Sequence, residues 1–222
     1  MRPTLFPLAL LAGTTAVSPA VAIFSATDAI IGGARVGGDF VEGSEGTTGG
    51  VNNWPGAEPP SDLINGIIGG GGEKYLNFAE LDTGFIITPN AGPSIVTSME
   101  LWVANDAPER DPASFEVWGT NADVSGGGVI TISSFTLISS GSLDLPLGRD
   151  TVPDATGLSE VVAIGDGNAY TSYMVLFPTV RDSVAANSMQ LSEIQFDGVV
   201  IPEPGSTVLA ALSLGLLLRR RR

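Results

Sequence analysis

The chain contains no cysteine and no histidine. Without cysteine there can be no disulfide, thiolate nucleophile or cysteine-held metal. Without histidine there can be no Ser-His-Asp triad and no histidine zinc site. Stability must come from burial and hydrogen bonds, and any acid–base chemistry would fall to carboxylates. Positive charge is also scarce: 10 Lys and Arg face 24 Asp and Glu, a formal net charge of −14. Such a surface repels nucleic acid and anionic lipid, so no nucleic-acid partner is expected. It is compatible with divalent cations, which hard carboxylate oxygens favour, although solubility outside a cell is the plainer consequence. Helical periodicity is missing from every helix-length window between the two termini.

The two ends carry what the middle lacks. At the start, Arg2 precedes a largely apolar run from Leu5 to Ala16. Ala20-Val21-Ala22 then supplies small residues at −3 and −1 of a signal-peptidase site. This pattern predicts a secretory signal over residues 1–22, with Ile23 as the first mature residue. At the other end, Pro202-Glu203-Pro204 is followed by an uncharged apolar run from Thr207 to Leu218 and then by Arg219, Arg220, Arg221 and Arg222. As a helix the run would span on the order of 20 Å, short of the roughly 30 Å hydrocarbon core. The arginine block would hold that end on the cytoplasmic side, and its side chains can snorkel to lengthen the span. A single short C-terminal transmembrane helix is therefore expected.

This tail resembles the PEP-CTERM sorting signal of bacterial exported proteins. Pro202, Glu203 and Pro204 match the motif, and Arg219 to Arg222 match its basic stop. The resemblance implies recognition and removal of residues 199–222 by an exosortase, a membrane protease. The protein would be exported, membrane-anchored through its C-terminus before processing, and afterwards at the cell surface or in the extracellular matrix.

The body reads as all-β. Residues 31–72 are rich in Gly, Pro, Asn and Thr and look loop-dominated, which makes 23–59 a loop-rich N-terminal part. Short apolar stretches follow: Phe85 to Ile87, Ser94 to Ala104, Ser114 to Gly119, Val129 to Ile132, Phe135 to Ser140, Val161 to Ile164, Tyr170 to Phe177 and Gln190 to Phe196. Period-two alternation sets Met99, Leu101 and Val103 against Glu100 and Trp102, and Phe115 and Val117 against Glu116 and Trp118. Such strands, separated by turn residues, predict an antiparallel β-sandwich.

Five segments resemble a discoidin-like, galactose-binding-like jelly roll over residues 60–198. They are Asp62 to Gly66, Lys74 to Phe78, Gly84 to Pro89, Ala104 to Gly119 and Leu191 to Gly198. The resemblance implies an eight-stranded sandwich whose usual role is binding glycans or surfaces. It also implies a structural calcium between an early loop and a late glutamate, here Asn65 and Glu193. Asparagine can ligate calcium through its carbonyl oxygen but brings no charge.

For glycan binding, Trp54, in an Asn-Asn-Trp-Pro loop, could stack on a sugar face. Trp102 and Trp118, on strands, are expected to be buried. Arg110 lies among Asp106, Glu109 and Asp111 and could fork onto carboxylates or sugar hydroxyls. The structural alternative pairs Arg110 with Asp106 or Asp111 to pin the loop. The expected function is a non-catalytic surface or matrix protein that binds polysaccharide, with signal peptidase and exosortase as processing partners. Two alternatives stay open: a carboxylate-dependent glycan-cleaving enzyme, which needs two carboxyls about 5 Å or about 6.5–9.5 Å apart, and a purely structural matrix component.

Overall fold

A computed structural model describes residues 20–149, 151–154 and 157–202. In chain order its strands are β1 Val21–Ala22, β2 Ala29–Val36, β3 Asp39–Glu42, β4 Ser44–Glu45, β5 Asn53–Trp54, β6 Tyr75–Asn77, β7 Thr83–Thr88, β8 Ser94–Trp102, β9 Ser114–Thr120, β10 Val129–Ile130, β11 Thr136–Ser142, β12 Ser159–Ala163, β13 Ser172–Phe177, β14 Met189–Leu191 and β15 Glu193–Val200. One sheet has seven strands in the order β10-β3-β2-β7-β13-β9-β11, and a second has four in the order β1-β15-β8-β12. The short ribbons β6–β14 and β4–β5 complete the set. The β4–β5 pair is parallel, and the other strand pairs are antiparallel. The described residues thus form an all-β protein, as expected, with more strands than the eight that the resemblance implies.

Alternation decides which side chains fill the space between the two sheets. Phe85, Ile87, Tyr173, Val175, Phe177, Phe115 and Val117 come from the seven-stranded sheet. Met99, Leu101, Ile194 and Phe196 come from the four-stranded one, and all belong to one buried cluster. The Tyr173 and Phe196 rings meet edge to face across the layer at 5.6 Å. Each such side chain contributes roughly 1.5–3 kcal/mol by leaving water. In β8 the expected phase holds, Met99 and Leu101 buried and Glu100 and Trp102 outward, but the expected burial of Trp102 is corrected: on the outward face it is only half-buried.

The loop-dominated reading of 31–72 is corrected. β2 and β3 form a hairpin inside the seven-stranded sheet, and β2 runs beside β7 with Ile31 opposite Ile86. Gly37 and Gly38, both at positive φ, make the two-residue turn that joins the hairpin strands. Gly32 and Gly33, which read as loop residues, are packing sites. A Cβ on Gly32 would come within 2.2 Å of Pro60, and one on Gly33 within 2.3 Å of the Val41 carbonyl.

The outer face of the seven-stranded sheet is covered as well. Residues 121–135 fold back so that Val124, Ile130, Ile132 and Phe135 close a second core over Phe40, Ile86, Met174 and Leu176. Trp118 packs half-buried at its margin, less enclosed than its strand position suggested.

β1 lies at the edge of the four-stranded sheet, Val21 opposite Gly198 and Ala22 opposite Asp197. The preceding residues 1–19 and the tail from Glu203 onward lie outside the described residues, so the apolar tail helix and Arg219 to Arg222 are not described. Among the described residues no helix is long and apolar enough to cross a membrane.

Candidate functional site

One end of the sandwich brings together Asn65 and Glu193, the two residues singled out from sequence as a pair. A 3-10 turn, Pro60–Ile64, buries Leu63 and Ile64 and delivers the chain into the Asn65-Gly66 turn. There the Gly66 N–H donates to Glu193 Oε2 at 3.2 Å, at the start of β15. The glycine-rich segment that follows is sewn to the same strand entry. Gly69 N–H donates to Ser192 Oγ at 2.8 Å, and the Ser192 hydroxyl donates to the Glu73 carbonyl at 3.0 Å.

Lys74, only 3% exposed, fixes the neighbouring ribbon. Its ammonium donates to Asp106 Oδ1 at 2.8 Å, Asn105 Oδ1 at 3.0 Å and Gln190 Oε1 at 3.1 Å. Three acceptors for three N–H bonds satisfy a buried cation. Burial would lift the Asp106 carboxyl, but the bonds from Lys74 and Gln190, helped by the Arg110 charge, hold it below the usual range.

Glu193 is the odd group of this end. It is 7% exposed and has no cation partner among the described residues. Burial pushes its carboxyl up to about 8, against the pull of the Gly66 and Asn65 backbone N–H groups and with the nearby Asp62 charge adding to the rise. Asp62 is pushed to about 6 by burial and by the charges of Glu73 and Glu58. At neutral pH Glu193 is mostly a neutral acid able to donate a proton in a hydrogen bond.

Glu193 borders a cavity of about 350 Å³ on the outer face of the four-stranded sheet, whose walls include Phe24, Asn65, Gly66, Trp102 and Gln195. Trp102 pairs directly with Glu193 across the β8–β15 ladder, its half-exposed ring beside the acid. Gln195 Nε2 reaches the Phe24 carbonyl at 3.4 Å and fixes the opposite wall. An aromatic face, a neutral carboxylic acid and two amide side chains around one hollow form a donor–acceptor set with an apolar platform. A second cavity, about 360 Å³, lies beneath residues 121–125 on an apolar floor of Ala29, Ile31 and Ile86. It has no aromatic wall, and its acid, Asp123, is held low by hydrogen bonds from Ser125.

The structure brings Asn65 and Glu193 together at this end. Asn65 Oδ1 accepts from the Ile67 N–H at 2.7 Å, and its amide donates to Glu73 Oε2 at 3.1 Å. Calcium takes six to eight oxygens. No group of three or more Asp and Glu residues that could hold a metal occurs among the described residues. As arranged, the two side chains fit calcium poorly, because hydrogen bonds already occupy the Asn65 oxygen and one Glu193 oxygen.

Trp54 and Arg110 sit elsewhere. Trp54 is half-buried on β5, edge-on to the buried Tyr75 ring at 5.9 Å and packed against the main core. Arg110 closes the short turn Pro108–Arg110 and makes no ion pair among the described residues, which corrects the expected pairing with Asp106 or Asp111. Asp106 pairs instead with Lys74, and fully buried Asp111 with Arg149 at 2.6 Å and Arg181 at 3.3 Å. Trp102 is the residue that sequence reading undervalued. The alternation that placed it opposite Met99 and Leu101 already marked it as outward-facing.

No family model matches the chain. No curated protein matches it either. Among solved structures, it is similar to the family 32 carbohydrate-binding module of NanJ from C. perfringens, solved with galactose: 10% identity, 80% of this chain and 98% of that one covered, TM-score 0.48. A family 32 module of EndoD from Streptococcus pneumoniae gives 12% identity, 79% and 98% coverage and a TM-score of 0.48. A fucolectin from striped bass (Morone saxatilis) gives 16% identity, 81% and 49% coverage and a TM-score of 0.45. None of these likenesses is close enough to transfer a ligand.

Proposed function

We propose that this chain is an exported, non-catalytic surface or matrix protein whose discoidin-like β-sandwich binds polysaccharide. The observation that carries the reading is the cavity where the half-exposed Trp102 ring stands beside neutral Glu193, Asn65 and Gln195. Sugars present C–H faces that pack on aromatic rings, and rims of hydroxyls that both donate and accept. A carboxyl held neutral supplies a donor there without the cost of desolvating a charge. The acidic surface favours neutral over anionic glycans through simple repulsion.

The ends supply the rest of the reading. The leader would direct export, and an exosortase would recognise Pro202, Glu203 and Pro204 and remove the tail. The purified protein on a glycan array, with calcium and with chelator, tests the binding arm. Reproducible binding to neutral glycans supports it, and a flat array with clear self-association would move the protein to the purely structural class. Release of reducing ends that vanishes in one Asp or Glu variant with an intact fold would instead make it an enzyme.

A further inference from the structure

Two overlapping small-residue patterns lie at the leader junction. Ala20 and Ala22 would direct a cut between Ala22 and Ile23, whereas Ser18 and Ala20 satisfy the same −3 and −1 requirement for a cut between Ala20 and Val21. The first pattern gives the leader over residues 1–22 expected from sequence, and the second satisfies the same rule. The folded body treats the two bonds very differently.

Ile23 and Phe24 are 2% and 6% exposed, and the Phe24 ring stacks on Phe196 at 4.5 Å. The Ile23 N–H donates to the Phe196 carbonyl at 2.7 Å. Val21 and Ala22 continue this pairing along β15, opposite Gly198 and Asp197. The Ala22–Ile23 bond is therefore held inside the sheet, against a buried side chain. Ala20 is exposed and precedes Val21, the first paired residue among those described, so the Ala20–Val21 bond stands at the rim.

From this geometry we propose that the leader is removed between Ala20 and Val21, and that the mature chain keeps β1. The inference rests on the export reading. The step is hydrolysis: water adds to the Ala20 carbonyl, the C–N bond breaks, Ala20 leaves as a carboxylate and Val21 keeps the nitrogen as an α-ammonium. That new charge lies at the exposed end of an edge strand, one residue from the Ala22–Asp197 pair, where water and a carboxylate both favour it. A cut before Ile23 would place the ammonium at a residue that is 2% exposed and would uncover the β15 edge at Asp197 and Gly198.

The test is N-terminal sequencing of the full chain after expression in a Gram-negative host with a working signal peptidase. A start at Val-Ala-Ile-Phe is expected. A start at Ile-Phe-Ser-Ala overturns this inference and leaves export standing. A chain that keeps its first residues overturns the export reading and this one with it. Two variants sharpen the choice. Ser18→Leu puts bulk at −3 of the proposed site alone, so the start at Val21 should be lost, either as accumulated precursor or as a start shifted to Ile23. Ala22→Leu, at an exposed residue that serves as −1 only for the alternative site, should leave the cut unchanged. The opposite pattern in the two variants contradicts the assignment.

Discussion

Asp111 and Glu193 are both buried carboxyls in the same sandwich, yet they are built for different purposes. Burial works to raise both. At Asp111 two guanidinium groups oppose it, from Arg149 and Arg181, though burial still prevails and the carboxyl stays raised. At Glu193 only backbone N–H groups do, and a neighbouring acid adds to the rise. The backbone tells the same story around Asp111, whose carbonyl accepts the Arg181 N–H at 2.8 Å. Asp111 is thus a knot that ties the entry to β9, residues 145–149 and residues 180–182 into one corner. Glu193 has an open side facing the Trp102 cavity and no counter-ion among the described residues. A buried acid with cations holds a fold together, whereas a buried acid facing a hollow is available to a ligand.

The largest expected effect breaks the knot. Asp111→Ala leaves two partly buried arginines without their carboxylate, and should cost about 3–5 kcal/mol in urea unfolding. A loss below about 1 kcal/mol would show that water replaces the carboxylate and that the corner is not held by charge.

Next comes Lys74→Met, which keeps the stem but leaves Asn105, Asp106 and Gln190 acceptors facing no donor. We expect a loss of about 2 kcal/mol, read from the same unfolding curves. An unchanged midpoint would mean that this network is not part of the fold's support.

A third effect reports on Glu193 through pH. The folded carboxyls of Glu193 and Asp62 hold their protons to about 8 and about 6, above their ordinary values of 4.5 and 3.8. A folded state that binds protons more tightly than the unfolded one is favoured at low pH. That stability is complete below the ordinary values and drains away as pH rises through the folded ones. The melting temperature should therefore fall as pH rises from about 5 to about 8. Glu193→Gln, neutral throughout, should flatten the upper part of that window. Parallel pH curves for variant and wild type would show that Glu193 is not the titrating group.

Smallest of all is the expected response to calcium. With Asn65 and Glu193 already engaged by backbone N–H groups, millimolar calcium should leave the melting temperature where chelator leaves it. A clear rise would reveal a metal site that recruits further oxygens, through the linkage between ligand binding and stability.

β8 and β9 are legible because their side chains alternate, and Ser94 to Ala104 even gives the correct faces, whereas β7 and β13, buried along nearly their whole length, are legible only as apolar runs between turn residues. β2 and β3 are not legible, because Gly32 and Gly33 look like loop residues in sequence. Only the approach of Pro60 and Val41 shows why no side chain fits there. The meeting of Asn65 with Glu193 followed from the resemblance, since nothing local links residues so far apart. The pairing of Asp111 with Arg149 and Arg181, in place of adjacent Arg110, was illegible for the same reason. Sequence nearness favours Arg110, while the fold brings distant arginines to a buried oxygen. Trp102 was visible as an outward tryptophan, but its cavity is made by Phe24 and Asn65, which only the folded chain brings beside it.

The account turns on where a sugar sits. The direct measurement is titration calorimetry of one array-selected neutral glycan against wild type, Trp102→Ala and Trp54→Ala, each checked for an intact melt. We predict that Trp102→Ala weakens binding at least about tenfold, in line with the loss of one aromatic stacking contact, while Trp54→Ala leaves it near wild type. Binding that survives Trp102→Ala unchanged would contradict the assignment of the sugar to the Glu193 cavity.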